Sequence, residues 1–215
     1  MTLIASSDNS GTSFPLIEAG THHAVCYTVA DIGTQYSEKF DSYARKVVIT
    51  WELPNVRIDI ERDGKTYNLP RAISKTYTLS THEKSNLTKD LTSWRGKPFT
   101  DEERAGFDLR KVARKNCLIQ IIHTQRGDKT YANVATVAKL MAGMEEKEPE
   151  NPVVIYDMGV DGTNFPESMP EWIRKRVMAS QEMQEKAVKE GGEIPPDEPS
   201  GDFDDAPELD ETIPF

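Results

Sequence analysis

The sequence predicts a mainly β fold with helical insertions. Three features predict it. Apolar and polar residues alternate with period two over Arg45–Leu53 and again over Val56–Glu61. Asp63-Gly64 is a tight-hairpin signal between strand-like runs. The period then switches to that of helices at Ser80, and back to strands at Cys117.

Taken in order, residues 1–19 mix Ser, Thr, Gly and Asn and read as a flexible N-terminal arm. A first strand is expected near Thr21–Val29, followed by a loop over Asp31–Ala44. Val47, Ile49, Trp51 and Leu53 then alternate with Lys46, Val48, Thr50 and Glu52, and Pro54-Asn55 breaks or bends the strand. The return strand spans Lys65 to about Leu79, with Pro70 a point of interruption. Ser80–Glu83 and Thr100–Glu103 have the spacing of capping boxes, each opening a helix. Asp108 is placed to cap another through Arg114. Cys117–His123 and Thr130–Val137 form two more strands joined by a hairpin loop, and Val153–Tyr156 fits an edge strand. Ser168–Glu171 reads as a third capping box, opening a helix that carries Trp172 and ends at Gly191-Gly192. A helix inserted before the last two strands of a small antiparallel set is the arrangement of the OB-fold, a Greek-key barrel; another β-barrel or sandwich with a helical insertion fits the strand count as well. The chain therefore divides into an arm (1–19), an OB-fold-like antiparallel barrel (20–140), a linker and C-terminal helix (141–192) and a disordered acidic tail (193–215).

The 215 residues carry a net charge of −10, which at first argues against nucleic acid. Its distribution argues the other way. Glu193–Phe215 holds nine acids and no base, whereas Gly20–Leu140 holds twenty bases and fourteen acids. A basic body with an acidic tail is the asymmetry of a polyanion binder. The tail has too little apolar content to offset chain entropy, hence the expected disorder. Cys26 and Cys117 sit in apolar runs and read as buried thiols. No signal peptide or long apolar run is present, so a soluble, cytoplasmic protein is expected.

Catalytic signatures are missing: no GxSxG, HExxH or glycine-rich dinucleotide fingerprint occurs, and the histidines lack metal spacing. The expectation is a protein that is not an enzyme and takes no cofactor and no metal. Binding single-stranded DNA, by contrast, needs cations along a groove and exposed rings for bases to stack on. The body interleaves both: Tyr36, Phe40, Arg45, Lys46, Arg57, Lys65, Tyr67, Arg71, Lys75, Tyr77, Trp94, Arg95, Lys97, Arg126, Lys129 and Tyr131 are the candidate DNA-binding residues. Trp51 shares a face with Val47 and Ile49, which favours the core. Trp94 suits stacking and helix packing equally well. Arg57 alternates with Ile58 and so points away from the core.

The end of the chain is more specific. A solubilising tail does not require a terminal Ile-Pro-Phe. Ile213 and Phe215 suit an apolar pocket on a partner, Pro214 limits the entropy lost on docking, and Asp210 and Glu211 suit a basic rim.

Asp210-Glu211-Thr212-Ile213-Pro214-Phe215 resembles the ending of bacterial single-stranded DNA-binding proteins, departing at Thr212, where an acid is usual. Ser93–Thr100, Phe107-Asp108-Leu109, Asn116-Cys117-Leu118 and Tyr131–Val134 are similar to a family of phage-encoded single-stranded DNA-binding proteins with an OB-fold. The resemblance spans roughly Gly20–Leu140. It implies coating and protection of single-stranded DNA in phage replication or recombination, inside the host cell, with the tail recruiting host or phage DNA-processing proteins. Self-association is a further expectation, and no membrane partner is. The alternative is an adaptor that binds no DNA and only displays the tail.

Overall fold

A computed structural model describes residues 15–38 and 40–189, apart from the side chain of Arg62. They form a mainly antiparallel sheet with helical segments. The strands are β1 (Gly20–Ser37), β2 (Ser42–Arg62), β3 (Lys65–Thr78), β4 (Asn116–Arg126), β5 (Lys129–Lys139) and β6 (Val154–Tyr156). The helices are α1 (Asn86–Arg95), α2 (Asp101–Ala105), α3 (Met158–Asp161), α4 (Glu171–Met178) and α5 (Gln181–Lys189), with a 3-10 turn at Leu109–Val112. Strand order is β3-β2-β1-β4-β5, and β6 adds to β1 in parallel. Among the described residues no ladder joins β3 to β5, so the sheet stays open there. Helix α1 fills the opening with Leu87, Leu91 and Trp94. Its Asp90 carboxylate accepts from Lys75 Nζ and Tyr77 OH of β3, both at 2.8 Å. Lys75 Nζ also donates to Ala135 O of β5 at 3.3 Å and so spans the gap.

β1 is longer than its sequence suggests. The expected loop over Asp31–Ala44 is strand on both sides of a short turn, because Ile32 and Gln35 are buried and carry the ladder on to Ser37↔Ser42. A bulge between Asp31 and Gly33 absorbs the irregularity. Gly33 has φ 73°, and a Cβ there would lie 2.7 Å from Ser180 Cβ, so both conformation and space demand glycine. Pro54 bends β2 without ending it: the register jumps from Leu53↔Arg71 to Arg57↔Pro70, and the extra residues bulge opposite Pro70. Asp63 and Gly64 close the hairpin with φ of 51° and 71°, as a type I′ turn requires.

Of the three capping boxes only Thr100–Glu103 forms, with both reciprocal bonds. Helix α1 starts later than expected, because Ser85 rather than Ser80 accepts from the Thr88 amide. α4 begins after Pro170 with no side-chain cap. The single C-terminal helix expected from the sequence is two. The chain turns at Ala179-Ser180, where Ser180 is buried and its Oγ donates to Val177 O. Asp108 does cap, but only a 3-10 turn that stops at Val112.

The sheet is buried on both faces. Val47, Ile49, Trp51 and Leu53 join Trp94, Ile119, Ile121 and Val137 in the main core. On the opposite face Ala30, Ile32 and Val48 pack under Val154, Met169, Ile173, Val177 and Met183. The Trp172 helix therefore packs on its own sheet. At the other end of the chain Ile17 is buried in the main core and its carbonyl hydrogen-bonds His123 Nε2 at 2.7 Å, so Pro15–Ala19 lies against the sheet. Residues 1–14 and 190–215 lie outside the described residues.

Helix α5 is tied down by Glu182, whose carboxylate accepts from Thr34 N and Thr34 Oγ1 at 2.8 and 2.7 Å. Burial pushes this carboxyl up, but the two Thr34 bonds outweigh it and hold it below its ordinary value. A depressed folded value means the tie is present above the unfolded pKa of about 4.3 and fades as pH falls through the folded one. Hydrogen exchange of the α5 amides is expected to quicken in acid in the wild type. In Glu182→Gln it should already be faster at neutral pH and should lack that acid transition.

Candidate nucleic-acid interface

A cleft of about 590 Å³ lies between the end of α1, the 3-10 turn and the chain leaving β5. Trp94, Phe107, Val112, Leu140, Met141 and Met144 supply its apolar lining. Arg95, Lys97, Lys111, Lys115 and Lys139 supply five bases against Glu103 and Glu146. Each is placed by local chain geometry. Gly96 ends α1 at φ 68°, and Lys139 lies over it, so that a Cβ at Gly96 would sit 3.0 Å from Lys139 Cδ. Lys139 is thus held at the helix C-terminus, where the dipole favours a cation. Arg114 adopts φ 65°, reversing the chain after the 3-10 turn, and its amide donates to Cys26 O at 2.7 Å. That reversal presents Lys111 and Lys115 on the rim.

The bases of the cleft differ in how far they are committed. Arg95 is paired with Glu103 and lies over Phe99 and Phe107, 4.4 and 5.0 Å from the ring centres. Glu103 is held below the usual carboxylate range, first by the Thr100 amide and then by Arg95. Lys97 approaches Glu103 only at 4.0 Å. Lys111, Lys115 and Lys139 make no ion pair among the described residues. Three ammonium groups on the rim of an apolar cleft can take phosphates while bases enter against rings and thioethers.

The sequence-derived candidates do not make one surface. Trp94, Arg95 and Lys97 line this cleft, with Trp94 in its floor rather than exposed. Trp94 is buried, packs 5.9 Å from Trp51 and donates Nε1–H to Asn116 O. Tyr77 is buried on Asp90, which together with burial raises its pKa well above the ordinary value. Lys46 is buried on Thr78. Trp94 packs in the main core from α1 and Tyr77 from β3, and Lys46 is held within β2. Lys75 is committed to Asp90, Arg57 to Glu150 and Asn68, and Arg71 donates to Pro15 O. A second group lies at the two hairpin tips: Lys65 and Tyr67 on one, Arg126, Lys129 and Tyr131 on the other. A third lies at the β1–β2 turn, where Phe40 and Tyr43 are each 63% exposed and Tyr36 rests 5.1 Å from Tyr43. Arg45 there is paired with Asp31. Asp210, Glu211, Ile213, Pro214 and Phe215 lie outside the described residues.

Lys111, Lys115, Lys139 and Phe107 were missed in the sequence. A signal for two of them was present: Arg110, Lys111, Arg114 and Lys115 place four bases within six residues. Lys139 had none, since only the fold brings the end of β5 to the end of α1. Among the described residues no group of three or more His, Cys, Asp or Glu could hold a metal ion, and no helix is long and apolar enough to cross a membrane. Both cysteines are buried, which raises their thiol pKa values. No protein-family model matches the chain, and no curated protein matches it.

Proposed function

We propose that this chain binds single-stranded DNA without sequence preference and protects it during phage replication or recombination, using an OB-like body. The strand order supports the body: β3-β2-β1-β4-β5 with a helix between β3 and β4 is compatible with an OB-like barrel left open between β3 and β5. The observation that carries the reading is the cleft, whose rim bears Lys111, Lys115 and Lys139, none in an ion pair among the described residues, over an apolar lining. The terminal Asp-Glu-Thr-Ile-Pro-Phe is assigned the recruitment of host or phage DNA-processing proteins. The commitment of Arg45, Arg57, Lys75 and Arg95 to carboxylates favours a second reading, an adaptor that binds no DNA.

Fluorescence anisotropy with an oligothymidine and with a duplex, at several salt concentrations, separates the two. The DNA reading expects preference for the single strand and an affinity that falls steeply with salt. Equal affinity for both, or a flat salt response, overturns it. Deleting Glu193–Phe215 is expected to leave binding unchanged or tighter, since a competing polyanion is removed, and to abolish capture of the recruited proteins. Weaker DNA binding after the deletion contradicts the role given to the tail.

A further inference from the structure

Phe107 borders two cavities. On one side is the lysine-rimmed cleft. On the other is a cavity of about 450 Å³ over Val29 and Val47 of the sheet, walled by Leu79, Leu109 and Ile155. The 3-10 turn divides its side chains the same way, Lys111 and Val112 to the cleft, Leu109 and Arg110 to the second cavity. The Phe107 ring is half-buried and has no polar atom to commit it, unlike Trp94 on Asn116 O and Tyr77 on Asp90. Ring and cation contacts set its plane instead. Phe99 meets it edge-on at 84° with 5.1 Å between centres, and Arg95 and Lys111 lie 5.0 and 5.9 Å from its centre. The two sides differ in charge. The cleft sets five bases against two acids. The second cavity sets Arg45 and Arg110 against Asp31, Asp108 and Asp157. Both arginines are engaged through Nε and Nη2, Arg45 by Asp31 and Arg110 by Asp108. Leu79 and Ile155 are exposed there.

We propose that the second cavity is a base-binding site, in which one nucleobase stacks on Phe107 and lies against Leu79 and Ile155 while its phosphate stays with Lys111 on the cleft side. The inference rests on the single-stranded DNA reading and adds to it where a base goes. Charge selects that part of the nucleotide. Three carboxylates against two paired guanidiniums disfavour a phosphate, whereas a neutral base meets apolar walls. An apolar cavity next to a lysine rim matches the two halves of a nucleotide. An apolar peptide would leave the adjoining lysines unused. Every base has a π face, so the site adds affinity without sequence preference.

The test uses the full-length protein with an oligothymidine and an abasic chain of equal length, their affinities measured by anisotropy across a salt series. Phe107→Leu keeps an apolar side chain and removes the π face. It is expected to weaken oligothymidine binding by about tenfold at an unchanged salt slope, since no phosphate contact is lost. On the abasic chain it should bind like the wild type. Phe107→Trp is expected to restore the oligothymidine affinity. Leu79→Thr with Ile155→Thr, in the walls of the second cavity, is expected to lose about threefold on oligothymidine and nothing on the abasic chain. Thermal melting followed by circular dichroism checks that each variant is folded. If the wild type prefers single strands and Phe107→Leu binds oligothymidine equally well, the base site is overturned and the DNA reading stands. Equal loss on both chains overturns it too, because the ring would then only shape the lysine rim. No effect from the wall pair would put the base inside the cleft and overturn the site. A wild type without preference for the single strand overturns the DNA reading, and the base site with it.

Discussion

Replacing Lys111 and Lys115 together with Glu is expected to weaken binding to oligothymidine by about 100-fold or more at low salt. Both side chains are exposed on the cleft rim and make no ion pair among the described residues, so no buried partner is orphaned by the change. Each lysine that contacts a phosphate contributes about 0.7 to the slope of log affinity against log salt for a single strand, so the slope should fall by about 1.4. The loss should also shrink as salt rises, because the wild type loses the counterion-release term that the variant already lacks. Lys186→Glu with Lys189→Glu, on α5, controls for net charge alone. Equal loss in the control would reduce the effect to long-range field. No loss in the cleft variant would move the DNA path to the hairpin tips, where Lys65, Tyr67, Lys129 and Tyr131 are still available.

How the fold could be read ahead of time differed by element. Strands whose neighbours lie close in sequence were legible. The Asp63-Gly64 hairpin is fixed by two residues whose positive φ the turn demands, and the alternation of Val47, Ile49, Trp51 and Leu53 does mark a core face. What failed was the rule that alternation means one buried face. Val48 and Glu52 are as buried as Val47, because residues far away in the sequence, from Asn151 to Met183, cover the other side. The Asp31–Ala44 stretch misled for a related reason. Its glycine and polar residues resemble a loop, but Asp31 and Gln35 satisfy backbone groups locally, through Gly33 N and Ile32 O, and stay inside.

The candidate site divides in the same way. Aromatics with a polar atom were the least legible: Trp94 and Tyr77 each find a buried partner, so the ring serves packing and is not offered to a base. Cations on long stems were ambiguous for the opposite reason. A guanidinium beside a carboxylate and one beside solvent look alike in sequence, and Arg45, Arg57 and Arg95 are all of the first kind. The rim lysines are of the second kind, and the 3-10 turn with its reversal at Arg114 turns two of them toward the cleft.

Glu52→Ala is expected to destabilise the protein by about 3 kcal/mol or more, a fall in Tm of roughly 6–12 °C for a domain of this size. Glu52 is fully buried, and its two oxygens accept from Glu150 N at 2.8 Å, Asn151 N at 2.9 Å and Asn151 Nδ2 at 2.7 Å. The segment it holds is the charged stretch between β5 and β6, fastened further by Asn116, whose Oδ1 accepts from Lys147 N and whose Nδ2 donates to Lys147 O. A buried carboxylate can sometimes be exchanged for an apolar group at little cost, when its partners are replaced with it. Here two of the three partners are backbone amides, which no substitution removes, so the donors are left without acceptors. Glu52→Gln should recover little, because its amide nitrogen would meet a donor. The damage should be local first: amide exchange at Asn151 and along Val154–Tyr156 should quicken before the β1–β2 ladder opens. A Tm within about 2 °C of the wild type, or exchange that rises uniformly across the sheet, would show that β6 and the helices after it are held by their apolar contacts alone.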